Sequence, residues 1–250
     1  MLKQERQQKI LKILNEEQKV IASDLSQRLS VSEDTIRRDL KELDRKELIK
    51  RVHSGALRVG PPVVDFYTRQ NVKSDIKMRL ANKAMELVKD NMVLLIDGGT
   101  TNLNFVNQLP RTYKGTVITN SPPIAMDLSN HNDVEVIMIG GSLFKESMVN
   151  LGIETVESLN NMRADLYIMG IHKIDANIGI SLPNLAEAAV KRKMAAVSNE
   201  VLSMVTADKL NTFSNHIVSP ANVLSYLITE DLQPDILQLY KSQQIAVMTV

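Results

Sequence analysis

Ser32-Glu33-Asp34-Thr35-Ile36-Arg37-Arg38-Asp39-Leu40-Lys41-Glu42-Leu43 places Ile36, Leu40 and Leu43 at i, i+4 and i+7, the spacing of one apolar helix face. At about 100° per residue, Arg38 and Lys41 point away from that face and Arg37 lies on its flank. Ser32 is placed to cap the helix, and Glu33 and Asp34 fall in the first turn, where the helix dipole favours acids. Taken alone, such a stretch is more often a solvated charged face. Its neighbours change that. Upstream, Ala22 to Leu29 forms a short helix with Leu25 and Leu29 inward, joined through Ser30-Val31-Ser32, so the two make a helix-turn-helix. Glu5 to Asn15, with Ile10, Leu11 and Leu14 at helical spacing, supplies a third helix. Downstream, Leu48 to Val52, the turn His53-Ser54-Gly55 and Ala56 to Val59 give strand, turn and strand. The expected unit is a winged helix-turn-helix.

The run Val31-Ser32-x-x-Thr35-Ile36-Arg37-Arg38-Asp39-Leu40, followed by Leu43 and by Arg51-Val52-His53-x-Gly55-Ala56, resembles the DNA-binding module of the DeoR family of bacterial sugar-metabolism regulators. Ser54 departs from the family pattern, which has the first glycine of a Gly-Gly pair there, and a serine tolerates positive φ poorly. The resemblance implies operator DNA as partner, with Ser32, Thr35, Arg37, Arg38 and Lys41 facing phosphates and base edges and Arg51 and His53 placing the wing.

Charge agrees. Overall the chain of 250 residues is nearly neutral at +1, yet residues 1–58 hold 14 Lys+Arg against 10 Asp+Glu, leaving 16 against 19 for the remainder. That is the asymmetry of a nucleic-acid-binding head on an acidic body. There are no cysteines, which excludes disulfide scaffolds and thiolate metal sites. The histidines at 53, 131, 172 and 216 lack ligand spacing, so neither metal nor cofactor is expected. No apolar run approaches 18 residues and the first residues are too polar for a signal peptide, so a cytoplasmic protein without membrane contact is expected.

Gly60-Pro61-Pro62 breaks any regular element. The domains read as 1–59, a linker over 60–73, and 74–250. Ser74 to Lys89 is a helix capped by Ser74, with Ile76, Leu80, Ala84, Leu87 and Val88 inward. From Met92 the period changes. Short apolar runs at 92–96, 117–119, 134–139, 166–169, 201–205, 226–229 and 245–250 alternate with helical patterns at 101–109, 122–128, 152–159, 184–198 and 234–243. Continuous apolar runs suit strands buried on both faces, and the alternation predicts a mostly parallel sheet covered by helices. The expected fold class is α/β, a winged helix-turn-helix followed by a larger α/β domain.

Ligands of such sheets collect beyond the carboxyl ends of the strands. There the first run enters Asp97-Gly98-Gly99-Thr100-Thr101-Asn102 just before a helix, either a phosphate cradle or an ordinary capped turn. Other runs end in Thr119-Asn120-Ser121, Gly140-Gly141-Ser142 and Gly170-Ile171-His172. Together with Gly152, Asp165, Gly179, Glu187, Lys191 and Asp208, these positions resemble the DeoR family's C-terminal sensor domain. The resemblance implies a phosphorylated sugar effector and a fold akin to ribose-5-phosphate isomerase. It assigns Asp97, Gly98, Gly99, Thr100, Thr101, Asn102, Thr119, Asn120, Gly140, Gly141, Gly170, His172, Glu187 and Lys191 to the effector. Glu187 and Lys191, at i and i+4, equally suit a surface ion pair. The family's Asp-x-Ser-Lys element appears as Ala207-Asp208-Lys209-Leu210, which leaves the register of Lys209 open.

An isomerase resembling this domain carries two aspartates in an Asp-Gly-Ala-Asp strand end, where this chain has Met169-Gly170-Ile171-His172. A methionine accepts no proton. The expectation is therefore a non-enzymatic regulator, most often a repressor in this family, acting as a homo-oligomer, dimer or tetramer. The alternative is a phosphosugar-metabolising enzyme with an appended DNA-binding head.

Overall fold

A computed structural model describes residues 2–17, 19–46, 48–58 and 65–250. They fall into two compact units, 1–62 and 63–250.

The first unit contains α1 (Lys3–Glu17), β1 (Lys19–Ile21), α2 (Ala22–Leu29), α3 (Glu33–Arg45), β2 (Ile49–Val52) and β3 (Gly55–Arg58). Ile10, Leu14, Val20, Leu25, Ile36, Leu40, Leu43 and Ile49 close one core, so the apolar stripe of α3 is its buried face. A third wing strand, β1, which the sequence analysis did not include, pairs antiparallel with β3. This strand explains Gly55: a Cβ there would lie 1.9 Å from the Val20 carbonyl oxygen. Ser54 needs no left-handed backbone, and its carbonyl accepts from the Ala22 N–H at 2.9 Å, so the wing turns without the second glycine.

The second unit begins with α4 (Phe66–Gln70) and α5 (Ser74–Ala84). Gly60-Pro61-Pro62 lies outside the described residues. The rest of the expected linker is in part structured: Asp65 caps α4 by accepting from the Thr68 N–H at 3.0 Å, and Phe66 is buried in the core of this unit. Ser74 is the first residue of α5 rather than its cap, which is Lys73 at φ 55°.

The remaining elements are β4 (Val93–Ile96), α6 (Thr100–Gln108), β5 (Gly115–Thr119), α7 (Pro122–Leu128), β6 (Val134–Met138), β7 (Ser142–Phe144), β8 (Val149–Leu151), α8 (Ile153–Ser158), β9 (Ala164–Ile168), β10 (Lys173–Asp175), β11 (Gly179–Leu182), α9 (Leu185–Ala196), β12 (Ser198–Val205), β13 (His216–Ser219), β14 (Tyr226–Thr229), α10 (Pro234–Lys241) and β15 (Ala246–Thr249). Seven strands form one sheet in the order β15-β14-β12-β9-β4-β5-β6, every pairing parallel. Each of the seven apolar runs is one of its strands. Leu94 and Ile96 enter one core and Leu95 the other, which is why the runs show no alternation. The antiparallel hairpin β7-β8 and the small sheet β10-β11-β13 had no counterpart in the sequence reading. From β4 the chain proceeds to β5 and β6 on one side, whereas β9, β12, β14 and β15 lie on the other. The order therefore reverses between β4 and β9, and a crevice at such a switch point is where ligands of doubly wound sheets bind.

Candidate functional site

In the first unit, Ser32 caps α3: its Oγ accepts from the Thr35 N–H at 3.3 Å and shares a 2.8 Å hydrogen bond with the Thr35 hydroxyl. Arg37, Arg38, Lys41, Arg51 and His53 are exposed. They are not equivalent. Arg37 is held by Glu33 one turn back, with Nε 3.0 Å from its carboxylate, while Arg38 and Lys41 have no ion-pair partner among the described residues. Asp39, on the same helix, is buried and accepts from Arg6 Nε at 2.5 Å and Gln7 Nε2 at 3.3 Å. This joins α1 to α3 from behind, so the outward face carrying Arg38 and Lys41 is fixed by a buried polar contact as well as by the core.

In the second unit, the site is built where β4 and β9 end. Asp97 follows β4 and is buried. Its Oδ1 accepts from the Gly170 N–H at 2.7 Å and from Asn102 Nδ2 at 3.0 Å. Its Oδ2 accepts from Lys191 Nζ at 2.5 Å and from the Tyr167 hydroxyl. Burial raises the Asp97 carboxyl above the usual carboxylate range, opposed by the Lys191 charge and these hydrogen bonds. Burial also pushes the Tyr167 hydroxyl well up, with the Asp97 charge adding to it. Lys191 donates a further bond to the Gly170 carbonyl at 2.8 Å and lies 3.7 Å from Glu187. Gly170 must be glycine: a Cβ would come within 2.4 Å of the Gly98 carbonyl oxygen and 2.8 Å of Asp97 Oδ1. Gly99 has φ 145°, and a Cβ there would meet nothing closer than 3.9 Å. The backbone is thus bare and open at the amino end of α6.

Asn184 Oδ1 accepts from the Glu187 N–H at 3.0 Å and so starts α9, about two turns before Lys191. Glu187 Oε2 accepts from the Ser147 hydroxyl at 3.2 Å, in the β7-β8 turn. Other expected residues sit on neighbouring strand ends, where one of them, Asn120, is tied to that hairpin. Thr119 Oγ1 accepts from the Ser121 N–H, Asn120 Nδ2 donates to the Asn150 carbonyl at 2.9 Å, and the Gly140 carbonyl accepts from Thr155. A Cβ on Gly141 would lie 2.2 Å from Thr155 Oγ1. The hairpin is pinned over the crevice: a Cβ on Gly98 would meet Val149 and the Ser147 carbonyl.

A second set of side chains includes Arg69 and Lys77, which the sequence reading did not single out, along with Lys209, whose register it left open, and His172, which it assigned to the effector. Lys209, in the turn after β12, donates to the Ile171 carbonyl at 2.8 Å. Arg69, on α4, donates to the Glu146 carbonyl at 3.0 Å, and buried Lys77, on α5, donates to the Arg69 carbonyl. Burial, with repulsion from Arg69 and other cations, pushes both Lys77 and Lys209 down to about 8. Burial also lowers Arg69. Burial, and then repulsion from Lys173, Lys209, Arg69 and Lys191, takes His172 down to about 3. His172 is thus a neutral imidazole, its buried Nε2 without a hydrogen-bond partner among the described residues.

The model of the DeoR-like helix-turn-helix domain matches residues 6–60, and that of the DeoR C-terminal sensor domain matches 72–231. The chain belongs to the DeoR family. This DeoR protein is a DNA-binding transcriptional regulator. It is 30% identical over 229 residues to the HTH-type transcriptional regulator GolR of Listeria innocua, covering 91% of this chain and 90% of that protein. It is 29% identical to the HTH-type transcriptional repressor GlcR of Bacillus subtilis, covering 93% and 90%. It is 30% identical to the glycerol-3-phosphate regulon repressor of Haemophilus influenzae, covering 96% and 94%. Among solved structures, ribose 5-phosphate isomerase A from Neisseria gonorrhoeae aligns with 56% of this chain and 55% of its own, at 17% identity and a TM-score of 0.42. Among the described residues, no helix is long and apolar enough to cross a membrane.

Arg69 and Lys77 escaped the motif reading for one reason. A single Arg or Lys in an amphipathic segment is indistinguishable from a solvated charge until the fold shows what surrounds it. For Lys77 a signal was available: Leu80, Ala81 and Ala84 stand at i+3, i+4 and i+7 from it, so it shares their apolar face, where a solvated lysine is out of place.

Proposed function

We propose that this regulator binds a phosphorylated sugar at the β4/β9 crevice and that the bound sugar changes its affinity for operator DNA. The observation that carries the proposal is the Asp97-Gly98-Gly99-Thr100 turn, bare backbone at a helix amino end, set beside Gly170 at the switch point of the sheet. Backbone N–H groups at a helix amino end suit phosphate oxygens, and Glu187 is placed to accept from sugar hydroxyls. The relatives include two named as repressors, one of them of a glycerol-3-phosphate regulon, which supports repression and a phosphorylated effector. Arg38 and Lys41, with Thr35 and Ser32, meet the operator; Arg37 contributes only after leaving Glu33. A cytoplasmic homo-oligomer, dimer or tetramer, suits two heads reading half-sites a helical turn apart.

A non-catalytic role is favoured by the state of Asp97. Both of its oxygens are occupied by donors, and a carboxylate so engaged is poorly placed to take a proton from a sugar carbon. Glu187 remains, without a second free carboxylate beside it among the described residues.

A thermal-shift screen of phosphorylated sugars tests the effector, since binding at 100 times Kd adds about 2.7 kcal/mol of stability. Operator affinity is then measured with and without the hit. Gly99→Val fills the open space and strains a positive-φ position. It should retain operator binding and lose the response; a folded variant that responded normally would remove the phosphate-cradle assignment. Incubation of the hit with the protein, followed for isomer formation, tests the enzymatic alternative.

A further inference from the structure

We infer that Glu33 sets the specificity of the DNA-binding head: its carboxylate withholds Arg37 from the phosphates of unselected DNA and is drawn off it by a cytosine amino group in the operator's major groove. The inference rests on the assignment of α3 to the operator and adds the residue that makes this helix selective.

The acids of α3 differ in what they hold. Asp39 accepts from Arg6 and Gln7 of α1. Glu42 takes Lys3 of α1 at 2.5 Å, together with Lys46 at 3.2 Å. Asp44 accepts from the Arg51 N–H of β2 at 2.8 Å. Each of these ties α3 to another element. Glu33 ties it to none: its partner among the described residues is Arg37, one turn along the same helix, whose Nε at 3.0 Å and Nη2 at 2.5 Å both donate to Oε1. Glu33 Oε2 and Arg37 Nη1 have no hydrogen-bond partner among the described residues. The two side chains are 43% and 44% exposed, on the flank beside Arg38 and Lys41. A first-turn acid also suits the helix dipole, but Asp34 fills that role without holding an arginine.

The second helix of a helix-turn-helix lies in the major groove with its amino-terminal residues at the base edges, and Glu33 is the first residue of α3. Phosphates repel its carboxylate, and an arginine tied to that carboxylate displaces no counterion from DNA. On unselected DNA the pair therefore lowers affinity twice. The major groove offers hydrogen-bond donors only on cytosine and adenine, and adenine sets its N7 acceptor beside its amino group, so a carboxylate matches cytosine N4. An ion pair this exposed is weak, and a base donor competes with it. Once cytosine takes the carboxylate, Arg37 is free to turn to a phosphate. One base then decides two contacts.

The test uses the full chain, a duplex library of random sequence and the duplexes that the parent selects from it. Binding is followed by fluorescence anisotropy over a range of salt concentrations. Glu33→Ala should bind the unselected library roughly 2–5-fold more tightly than the parent, with a salt dependence steeper by about one phosphate contact. The gain should shrink in an Arg37→Ala background. Asp34→Ala, which removes an acid without releasing an arginine, should leave the salt dependence unchanged. Selected duplexes should carry a cytosine whose replacement by thymine weakens the parent by at least about fivefold, while Glu33→Ala binds both duplexes alike. Glu33→Gln, which keeps the side chain's length, repeats the comparison if Glu33→Ala melts lower than the parent. A gain of equal size with and without Arg37, or an unchanged salt dependence in Glu33→Ala, would overturn the inference. So would base preferences that survive the loss of Glu33, or adenine in place of the expected cytosine. In each of those cases Arg38→Ala still weakens binding to the selected duplexes and the assignment of α3 stands; an Arg38→Ala protein that bound them like the parent would remove that assignment as well.

Discussion

Asp97→Asn should be among the most damaging single-atom changes in the sensor unit, and its cost can be worked from the contacts. The carboxylate accepts from Gly170, Asn102, Lys191 and Tyr167. An amide offers one accepting oxygen, so whichever way it turns, its NH2 faces donors. Lys191, 4% exposed, loses its counter-charge. Breaking a buried ion pair from one side typically costs about 3–5 kcal/mol. For a unit of 150–250 residues each kcal/mol moves Tm by about 2–4 °C, so the transition should fall by roughly 6–20 °C. All five tyrosines, 67, 113, 167, 226 and 240, lie in residues 63–250 and the chain has no tryptophan. Near-ultraviolet tyrosine dichroism therefore follows this unit without interference from the DNA-binding head. Lys191→Met added to Asp97→Asn removes the orphaned charge and should recover part of the loss. An Asp97→Asn protein melting within about 2 °C of the parent, or a double variant less stable than the single one by the full cost of Lys191→Met, would refute the coupling of these residues.

Arg38→Ala should leave the melting profile unchanged and weaken operator binding by about 1–3 kcal/mol, measured by fluorescence anisotropy; Arg37→Ala, whose parent side chain is already paired with Glu33, should cost less. Asp39→Ala should act in the opposite way, destabilising the head by about 1.5–3 kcal/mol through its lost charged hydrogen bonds, as read from the helical dichroism at 222 nm under urea. For pH, Lys77 and Lys209 are depressed from the usual 10.5 to about 8, so the unfolded chain binds more protons between those values. The ligand-free protein should gain stability as pH rises from 8 towards 10.5, with the penalty fully present below 8; a melting temperature that falls steadily across that window would contradict the desolvated state of the two amines. Gly170→Ala, which drives a Cβ into Gly98 and Asp97, should weaken both stability and effector response.

Local chemistry in the sequence determined a good deal. Apolar spacing in 36–43 placed Arg38 and Lys41 outside and Ile36, Leu40 and Leu43 inside, because one buried stripe settles the orientation of a helix in a small unit. Seven apolar runs became seven parallel strands, since strands buried on both faces leave a continuous signal that side-chain alternation would have blurred. The wing strand β1, the hairpin β7-β8 and the sheet β10-β11-β13 were not legible, because three- and four-residue strands of mixed polarity owe their existence to partners far along the chain. The same holds for the site. Asp97, Gly99, Gly170 and Lys191 were recognisable within motifs, but their meeting depends on β4 and β9 being neighbours, a matter of strand order. Thr119, Asn120 and Gly141 stood in motifs just as visible, and of these Asn120 is tied to the hairpin through the Asn150 carbonyl. Arg69, Lys77 and Lys209 stand 8 and 132 residues apart in sequence, and only the packing of α4, α5 and the turn after β12 takes their charges out of water together. Desolvation is a property of the surroundings, so beyond the placement of Lys77 on an apolar helix face no local pattern announced it.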